Sequence, residues 1–119
     1  MSSIVKQLEQ TLKTDFPGLN VTATEQVLAD VRKPTLLIRR KSLDVFPDAP
    51  ISHRNVGILL TLISPHLDLD AAADQLDTLA LPLLDWLDPR YLHEPAQLVG
   101  YGNRLAYDIP ATITAQKES

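Results

Sequence analysis

Three carboxylates at helical spacing are the first residues in this sequence whose types could do chemistry. Asp70, Asp74 and Asp77 follow one another at intervals of four and three residues, so a helix would place them on one face. Carboxylate oxygens are the ligands that Mg²⁺ and Ca²⁺ prefer. The sequence has neither an EF-hand loop nor a second acidic cluster to complete a coordination sphere, and leucines mark the opposite face. We therefore interpret these residues as a solvated helix face and not as a metal site.

A histidine stands beside two carboxylates in residues 66–70 (His-Leu-Asp-Leu-Asp). Histidine and aspartate are both zinc ligands. Polar residues packed so closely before a predicted helix are more typical of a turn followed by an N-cap, and Asp68 or Asp70 can serve as that cap. His53 and His93 are too isolated to form a two-histidine site. We predict no metal ion at this segment either.

Motifs for nucleophilic catalysis and nucleotide binding are missing from the sequence. The chain has no cysteine, and no serine lies in a Gly-x-Ser-x-Gly elbow. Residues 100–103 (Gly-Tyr-Gly-Asn) are too short for a dinucleotide-binding fingerprint, and no glycine-rich phosphate loop ends in Lys-Ser or Lys-Thr. Without such a constellation, we predict a protein that is not an enzyme and needs no cofactor.

Length and composition fit one globular domain. The chain has 119 residues, enough for a single hydrophobic core, and its net charge of −4 gives no general attraction to nucleic acid or to anionic membranes. No apolar run approaches the roughly 18 residues of a membrane span. The first residues lack the apolar core of a signal peptide. We expect one domain over residues 1–119, soluble and cytoplasmic, without a membrane partner.

Helical periodicity marks two segments of the chain. The first helix is predicted over residues 3–15. Its apolar face consists of Ile4, Val5, Leu8, Leu12 and Phe16, and its polar side of Lys6, Gln7, Glu9, Gln10 and Lys13. The second helix runs from Asp68 or Asp70 towards Asp88, with an apolar stripe formed by Leu69, Ala72, Leu76, Leu79, Leu83 and Leu87. Pro82 either kinks this helix or begins a second short one, because proline removes a backbone hydrogen bond.

Strand patterns account for most of the remaining chain. Five strands are predicted at residues 21–24, 35–41, 56–63, 96–101 and 104–113, separated by loops at 25–34 and 42–52 and a linker at 89–95. Alternation gives the two central strands one apolar face and one mixed face, which is left for solvent or a partner. Gly102-Asn103 is a hairpin signal, and Pro110 places the last strand at a sheet edge or at a bulge. These elements predict an α+β fold, a mixed and mostly antiparallel sheet with two or three helices on one face.

Charges are segregated along the chain. Arg32, Lys33, Arg39, Arg40, Lys41 and Arg54 lie in one stretch, and Asp68, Asp70, Asp74, Asp77, Asp85 and Asp88 lie in the helical segment. No Lys or Arg occurs from residue 55 to residue 89. Two interpretations remain open, namely two solvated faces and a self-complementary pair of patches. In the second, the basic patch of one copy meets the acidic patch of the next, and such a head-to-tail contact closes into a ring when the rotation allows.

The order of short motifs and elements is similar to that of a known protein family. An N-terminal helix is followed by Lys33-Pro34-Thr35-Leu36-Leu37, Phe46-Pro47-Asp48-Ala49-Pro50, Arg54-Asn55-Val56 and Ser64-Pro65-His66, then by an acidic helix, Tyr101-Gly102 and Tyr107-Asp108-Ile109. Over nearly the whole chain this pattern resembles the tail terminator proteins of long-tailed, siphovirus-type phages, especially those that infect actinobacteria.

The resemblance implies a structural function. Tail terminators form a hexameric ring that caps the tail tube, ends its polymerisation and provides the surface for head-to-tail joining. The implied partners are further copies of the chain, the tail-tube protein and the head–tail connector protein. DNA passes through the lumen of such a ring without specific contacts. The implied location is the head-proximal end of the virion tail, after assembly in the host cytoplasm.

We place the expected contacts with subunits or with the tube around the long loop. The candidate residues are Arg39, Arg40, Lys41, Asp44, Phe46, Asp48, His53 and Arg54. The loop at residues 42–52 is expected to be mobile in the free subunit and to become ordered on assembly. The alternatives are a head–tail connector or neck protein of the same particle and, from different classes, a small carboxylate-metal enzyme or a protein-binding adaptor.

Overall fold

The chain folds into one mixed sheet and two helices. The computed structural model describes residues 4–26, 28, 30–45 and 53–116, with the backbone alone for 41–45, 53–55 and 114–116. The helices are α1 (Ile4–Asp15) and α2 (Leu69–Leu87), and the strands are β1 (Asn20–Ala23), β2 (Thr35–Val45), β3 (His53–Ile63), β4 (Leu92–His93), β5 (Gln97–Tyr101) and β6 (Arg104–Gln116). The strand order is β1-β2-β3-β6-β4, with β5 also beside β6. The predicted α+β class with a mostly antiparallel sheet is confirmed.

β3 lies at the centre of the sheet and pairs with a neighbour along its whole length on both sides. It is antiparallel to β2 and to β6, whereas β1 joins β2 in parallel. Ile58, Leu60 and Leu62 are fully buried on the face that carries the helices. α1 packs over β1 and β2, and α2 packs over β3 and β6. The predicted apolar face is therefore the floor of the main core.

The second face of the sheet is more covered than the sequence suggested. Leu37 and Ile63 are fully buried there, together with Ala106 of β6 and Val31. Val31 belongs to the connection between β1 and β2, the segment predicted as a loop, which folds back over this end of the sheet. The face left for solvent or a partner is therefore smaller than predicted, because this connection covers one end of it. The connecting segment has no hydrophobic periodicity, so the sequence did not predict this small second core.

The strands around the long connection extend further than predicted. β2 continues to Val45 and β3 begins at His53, so residues 42–45, predicted as loop, are strand. A register shift between Arg40 and Ser42 accommodates the extension. A bulge of this kind adds a residue without breaking the ladder, which hides the strand from a strict alternation test. Residues 46–52, the remainder of the expected mobile loop, lie outside the described residues.

α2 runs unbroken through Pro82. Asp68 caps it, because its carboxylate accepts hydrogen bonds from the amides of Asp70 and Ala71. Pro82 and Thr78, whose carbonyl would accept the missing bond, both lie on the exposed side, where water can satisfy that carbonyl. The predicted start of a second short helix at Pro82 is therefore wrong. Leu69 was expected in the core but is 61% exposed, because it lies in the first turn of the helix.

The two helices are joined by an aromatic cluster next to the core. The Trp86 indole N–H donates to the Asp15 carboxylate at 2.7 Å. The Trp86 ring also meets Phe16 edge to face, with ring centroids 6.2 Å apart, and lies 6.0 Å from Tyr91. The Arg90 guanidinium sits 4.4 Å over the same ring. One side chain thus ties the end of α1 to the end of α2.

Pro110 lies inside the sheet, beside a one-residue shift in register between the segments of β4 and β5 that pair with β6. The predicted edge position is wrong, and the irregularity lies in the facing strands. Pro110 pairs with Leu59 of β3 in an unbroken register. Its carbonyl accepts from the Glu94 amide, so the backbone of residue 110 faces away from β3. On that side β4 has ended and β5 has not yet begun. The missing N–H therefore falls in the gap between two short strands, which explains how a central strand tolerates proline.

The core predicts the effect of truncating one leucine of α2. Leu76 is fully buried, with a relative solvent exposure of 0%. Leu76→Ala should cost about 2–5 kcal/mol of unfolding free energy, measured by chemical denaturation, because the cavity remains partly unfilled. Leu81→Ala is the matched control, since Leu81 is 64% exposed on the same helix. Equal losses for the two variants would show that the assigned buried face of α2 is wrong.

Candidate interaction surface

Of the eight candidate contact residues, the structure describes the side chains of Arg39 and Arg40. Arg39 and Arg40 are neighbours on β2, so their side chains leave the sheet on opposite faces. Lys41, Asp44, His53 and Arg54 lie in the paired ends of β2 and β3, where the backbone is described. Phe46 and Asp48 fall outside the described residues. Assignment of these eight residues to a subunit or tube contact stays a prediction.

Arg39 belongs to a polar network that crosses three strands on the second face. Its Nη2 donates to the Thr61 hydroxyl at 3.0 Å, and that hydroxyl donates to the Asp108 carboxylate at 2.7 Å. Arg39 Nε is buried and has no hydrogen-bond partner among the described residues. Thr61 itself is fully buried. The bond to Thr61 ties the partly buried guanidinium to the neighbouring strand.

Arg40 is held on the other face by the segment that follows β1. Its guanidinium lies 3.6 Å from the Glu25 carboxylate, and the Arg40 amide donates to the same carboxylate at 2.8 Å. Both side chains are more than half exposed. An ion pair in such a position is screened by solvent and contributes little to stability. Arg40 is therefore available for charge contacts with another molecule.

Two of the acidic residues that invited a metal interpretation have structural partners. Asp68 is the N-cap of α2, as predicted, and Asp77 accepts a hydrogen bond of 2.6 Å from the Tyr107 hydroxyl. That bond, followed by partial burial and the charge of Asp77, raises the pKa of Tyr107 above its ordinary value of 10.0. Within the described residues, no group of three His, Asp or Glu side chains is arranged to hold a metal ion.

An apolar groove runs beside α2, between the helix and the segment that leads into β5. It has a volume of about 600 Å³. Its apolar walls come from Ala80, Leu81, Leu84, Pro95 and Ala96, and its polar rim from Asp77, Asp88, His93 and Tyr107. Both rim carboxylates are accessible from solvent. The combination of apolar walls and an anionic rim suits an apolar group with a cation beside it.

His93 bridges β4 to the end of α2 at this groove. Its Nε2 lies 2.6 Å from the Asp88 carboxylate, and its Nδ1 lies 3.0 Å from the Glu94 carbonyl. Two acceptors face the ring, so the protonated imidazole, which donates at both nitrogens, fits best. The backbone bond to Glu94, then the bond to Asp88, raise the pKa of His93 above 6.5, and the charge of Asp88 adds to this against partial burial.

The β1 edge of the sheet is closed by side chains of α1. The Glu9 carboxylate accepts from the Ala23 amide at 2.5 Å, and the Lys6 ammonium donates to the Ala23 carbonyl at 3.2 Å. Glu9 is only 7% exposed. The two side chains take the places that a further strand would occupy, and this protects an edge from pairing with another chain.

The β5 edge on the other side of the sheet is open. The Ser64 amide donates to the Leu105 carbonyl, so odd-numbered residues at this end of β6 face β3 and even-numbered ones face β5. Leu98 and Gly100 pair with Tyr107 and Leu105. Their own N–H and C=O groups therefore point away from β6. Leu98 is 53% exposed, and within the described residues no element covers this side of β5.

Several of these features escape prediction from the sequence. Glu9 was assigned to the polar side of α1, yet it follows Val5 by four positions and precedes Leu12 by three, which places it on the apolar stripe. That spacing was a usable signal. The bond of 2.8 Å from the Leu28 amide to the Tyr101 hydroxyl had none, because it joins residues 73 positions apart.

Comparison with known proteins identifies no family. No protein-family model matches the chain, and no curated protein matches it significantly. Among the described helices, none is both long enough and apolar enough to cross a membrane.

The bridge at His93 predicts a pH dependence of stability. Because its pKa is higher in the folded state, the bridge stabilises fully below pH 6.5 and loses its effect as pH rises through the folded-state pKa. His93→Gln should therefore lower the unfolding free energy more at about pH 5.5 than at about pH 8.5. Urea denaturation of both proteins across this range measures the difference.

His66→Gln is the matched control for the loss of a histidine. The His66 side chain is exposed, and it stands outside the bridge between β4 and α2. A loss at His93 that does not change with pH, or an equal pH dependence in both variants, would show that the imidazole carries no charge-dependent contact.

Proposed function

We propose that this chain is a structural protein whose identical subunits associate head to tail into a ring, as a tail terminator of a long-tailed phage does. In this function the ring caps the tail tube, ends its polymerisation and offers a surface to the head connector. The proposal rests on the resemblance in the order of motifs and elements and on one structural observation. That observation is a cluster of carboxylates on the outer surface of α2 and a cluster of cations around the connection between β1 and β2.

The acidic side of the molecule is the outer surface of α2. Asp70, Asp74, Asp77 and Asp85 are exposed along the helix, and Asp88 follows at its end. No Lys or Arg from residue 55 to residue 89 neutralises them. Since α2 covers the main core, these carboxylates point away from the sheet on the helix-bearing side.

The basic side lies across the sheet, around the connection that covers the second face. Val31 anchors this connection over Leu37 and Ile63. Arg32 and Lys33 belong to this connection, and Arg39 and Arg104 lie on the second face, with the carboxylates of Asp30 and Asp108. The Arg32 side chain is 87% exposed. This part of the surface therefore carries more cations than carboxylates.

Opposite charges on opposite sides favour contact between different surfaces of two copies. A two-fold dimer would instead place each surface against itself, with like charges opposed. Repeated head-to-tail contact produces a ring when the rotation closes and an open filament when it does not. The charges do not determine how many subunits close the ring. The number six is taken from the resemblance to tail terminators.

A charge exchange tests this arrangement. Arg32→Glu with Lys33→Glu reverses the exposed basic side, and Asp74→Lys with Asp85→Lys reverses the acidic side. Each double variant should self-associate about tenfold more weakly than the unaltered protein, because like charges then meet. An equimolar mixture of the two should associate again, since one reversed surface then complements the other. Sedimentation velocity at low and high salt measures the masses, and association should decline as salt rises.

The mixture also serves as the control for the altered net charge of each double variant. If both variants and their mixture assemble like the unaltered protein, the charges are solvated faces and do not drive association. A monomeric unaltered protein at all concentrations and salt levels would remove the ring itself.

The terminator function has its own test in virions assembled without this chain. Their tails should be of irregular length and should fail to join heads, as seen by electron microscopy. Tails of normal length that join heads would contradict the function, and tails of normal length that stay separate would favour a head–tail connector instead.

A further inference from the structure

We infer that the open β5 edge binds an extended segment of a different protein as an added strand, anchored by an apolar residue in the adjoining groove and by a cation two residues later. The inference holds whether or not the chain forms rings. It rests on the unpaired backbone of β5, on the groove beside α2 and on the anionic rim of that groove.

The backbone of β5 supplies the hydrogen bonds for such a strand. The N–H and C=O groups of Leu98 and Gly100 point outward, as the register with β6 requires. Gly100 has no side chain, and a Cβ placed there would meet nothing within 4 Å. A chain can therefore approach this edge closely from outside. Added strands gain affinity from such main-chain bonds, and pockets for alternate side chains give them specificity.

The groove supplies the pocket. Pro95 and Ala96 line it and lead directly into β5, so an added antiparallel strand that continues past β5 passes along the groove. The Leu98 side chain lies on the helix-bearing face, opposite Tyr107. Leu81 at the groove and Leu98 on the edge are both more than half exposed. An apolar residue of the added strand that points to this face would cover them.

The charge of the rim determines which residue is favoured two positions from the apolar anchor of the added strand. Asp77 and Asp88 stand on the α2 side of the groove, each with accessible carboxylate surface. In a strand, residues two apart share a face, so a lysine or arginine two positions from the anchor reaches the same rim. An acidic residue at that position would meet the like charge of Asp77, whereas Asp88 is already paired with His93. The chemistry of the site is thus an apolar residue followed two positions later by a cation.

The chain's own described segments do not supply this occupant. The spacing of a valine-, leucine- or isoleucine-sized residue and a cation two later occurs at Ile4–Lys6, Val31–Lys33, Leu37–Arg39 and Ile38–Arg40. These residues belong to α1, to the buried second core or to β2, whose edges are already paired. Pairing of β5 with β5 of another copy would bring two anionic grooves together. A second protein is therefore the occupant that fits.

Synthetic peptides in the extended form test the inference on the full chain. The probe is acetyl-Ser-Thr-Val-Thr-Lys-Thr-Ser-amide, compared with the same peptide carrying Glu in place of Lys. Binding is followed by two-dimensional NMR of the labelled protein. The lysine peptide should bind about tenfold more tightly than the glutamate peptide and should shift the amides of Leu98 and Gly100. A third peptide, with N-methyl groups on alternate residues, should not bind.

Two protein variants separate the backbone contact from the side chain. Leu98→Pro removes the outward N–H without removing a bond to β6, so it should abolish binding while the spectrum of β3 stays unchanged. Leu98→Ala keeps the N–H and should retain binding within a few fold. Asp77→Asn should reduce the preference for lysine over glutamate.

Four outcomes of the peptide experiments would overturn the inference, and a fifth comes from the protein alone. The four are equal binding of the lysine and glutamate peptides, binding of the N-methyl peptide, binding to the folded Leu98→Pro variant, and shifts confined to another surface. Concentration-dependent shifts at Leu98 and Gly100 without any peptide would show that a second copy occupies the edge, and would also contradict it. Loss of ring assembly leaves each of these readouts measurable, because they are made on the free subunit.

Discussion

The pairing of β3 with both of its neighbours is the constraint on which the rest of the structure depends. All eleven residues of β3 have partners in β6, and ten have partners in β2. A slip of one residue would turn Ile58, Leu60 and Leu62 from the helix-bearing face to the opposite one. The two helices, the second core under Val31 and the charged network at Arg39 all take their positions from this register.

The two edges of the sheet differ in whether their outward backbone groups already have hydrogen-bond partners. At β1, Glu9 and Lys6 occupy the outward backbone groups of Ala23, so a further strand could not bond to that residue. At β5, the outward groups of Leu98 and Gly100 face solvent beside an anionic groove. This difference between the edges agrees with the proposed head-to-tail association of identical copies. The subunit has no arrangement of groups, in its described part, that resembles a catalytic centre.

The sequence predicted what periodicity can encode, and failed where contacts join distant parts of the chain. The alternation of apolar residues at Leu36, Ile38 and in the following strand predicted the buried face of the sheet. Asp68 was one of the two predicted N-caps of α2. Pro110 was misjudged because its tolerance depends on the gap between β4 and β5, which no local pattern reveals. The contacts at the groove escaped prediction for the same reason, since the bond between Tyr107 and Asp77 spans 30 positions. Local propensity depends on the neighbours of a residue in sequence, whereas the positions of these residues are determined by their neighbours in space.

Residue-resolved hydrogen exchange on the free subunit tests the difference between the edges most directly. Exchange reports whether each amide is hydrogen-bonded and how often that bond opens. The account predicts slow exchange at the central amides of β3, protection of the Ala23 amide by Glu9, and fast exchange at Leu98 and Gly100. Fast exchange at Ala23 together with protection at Leu98 in a monomeric sample would contradict it, because the closed and open edges would then be reversed.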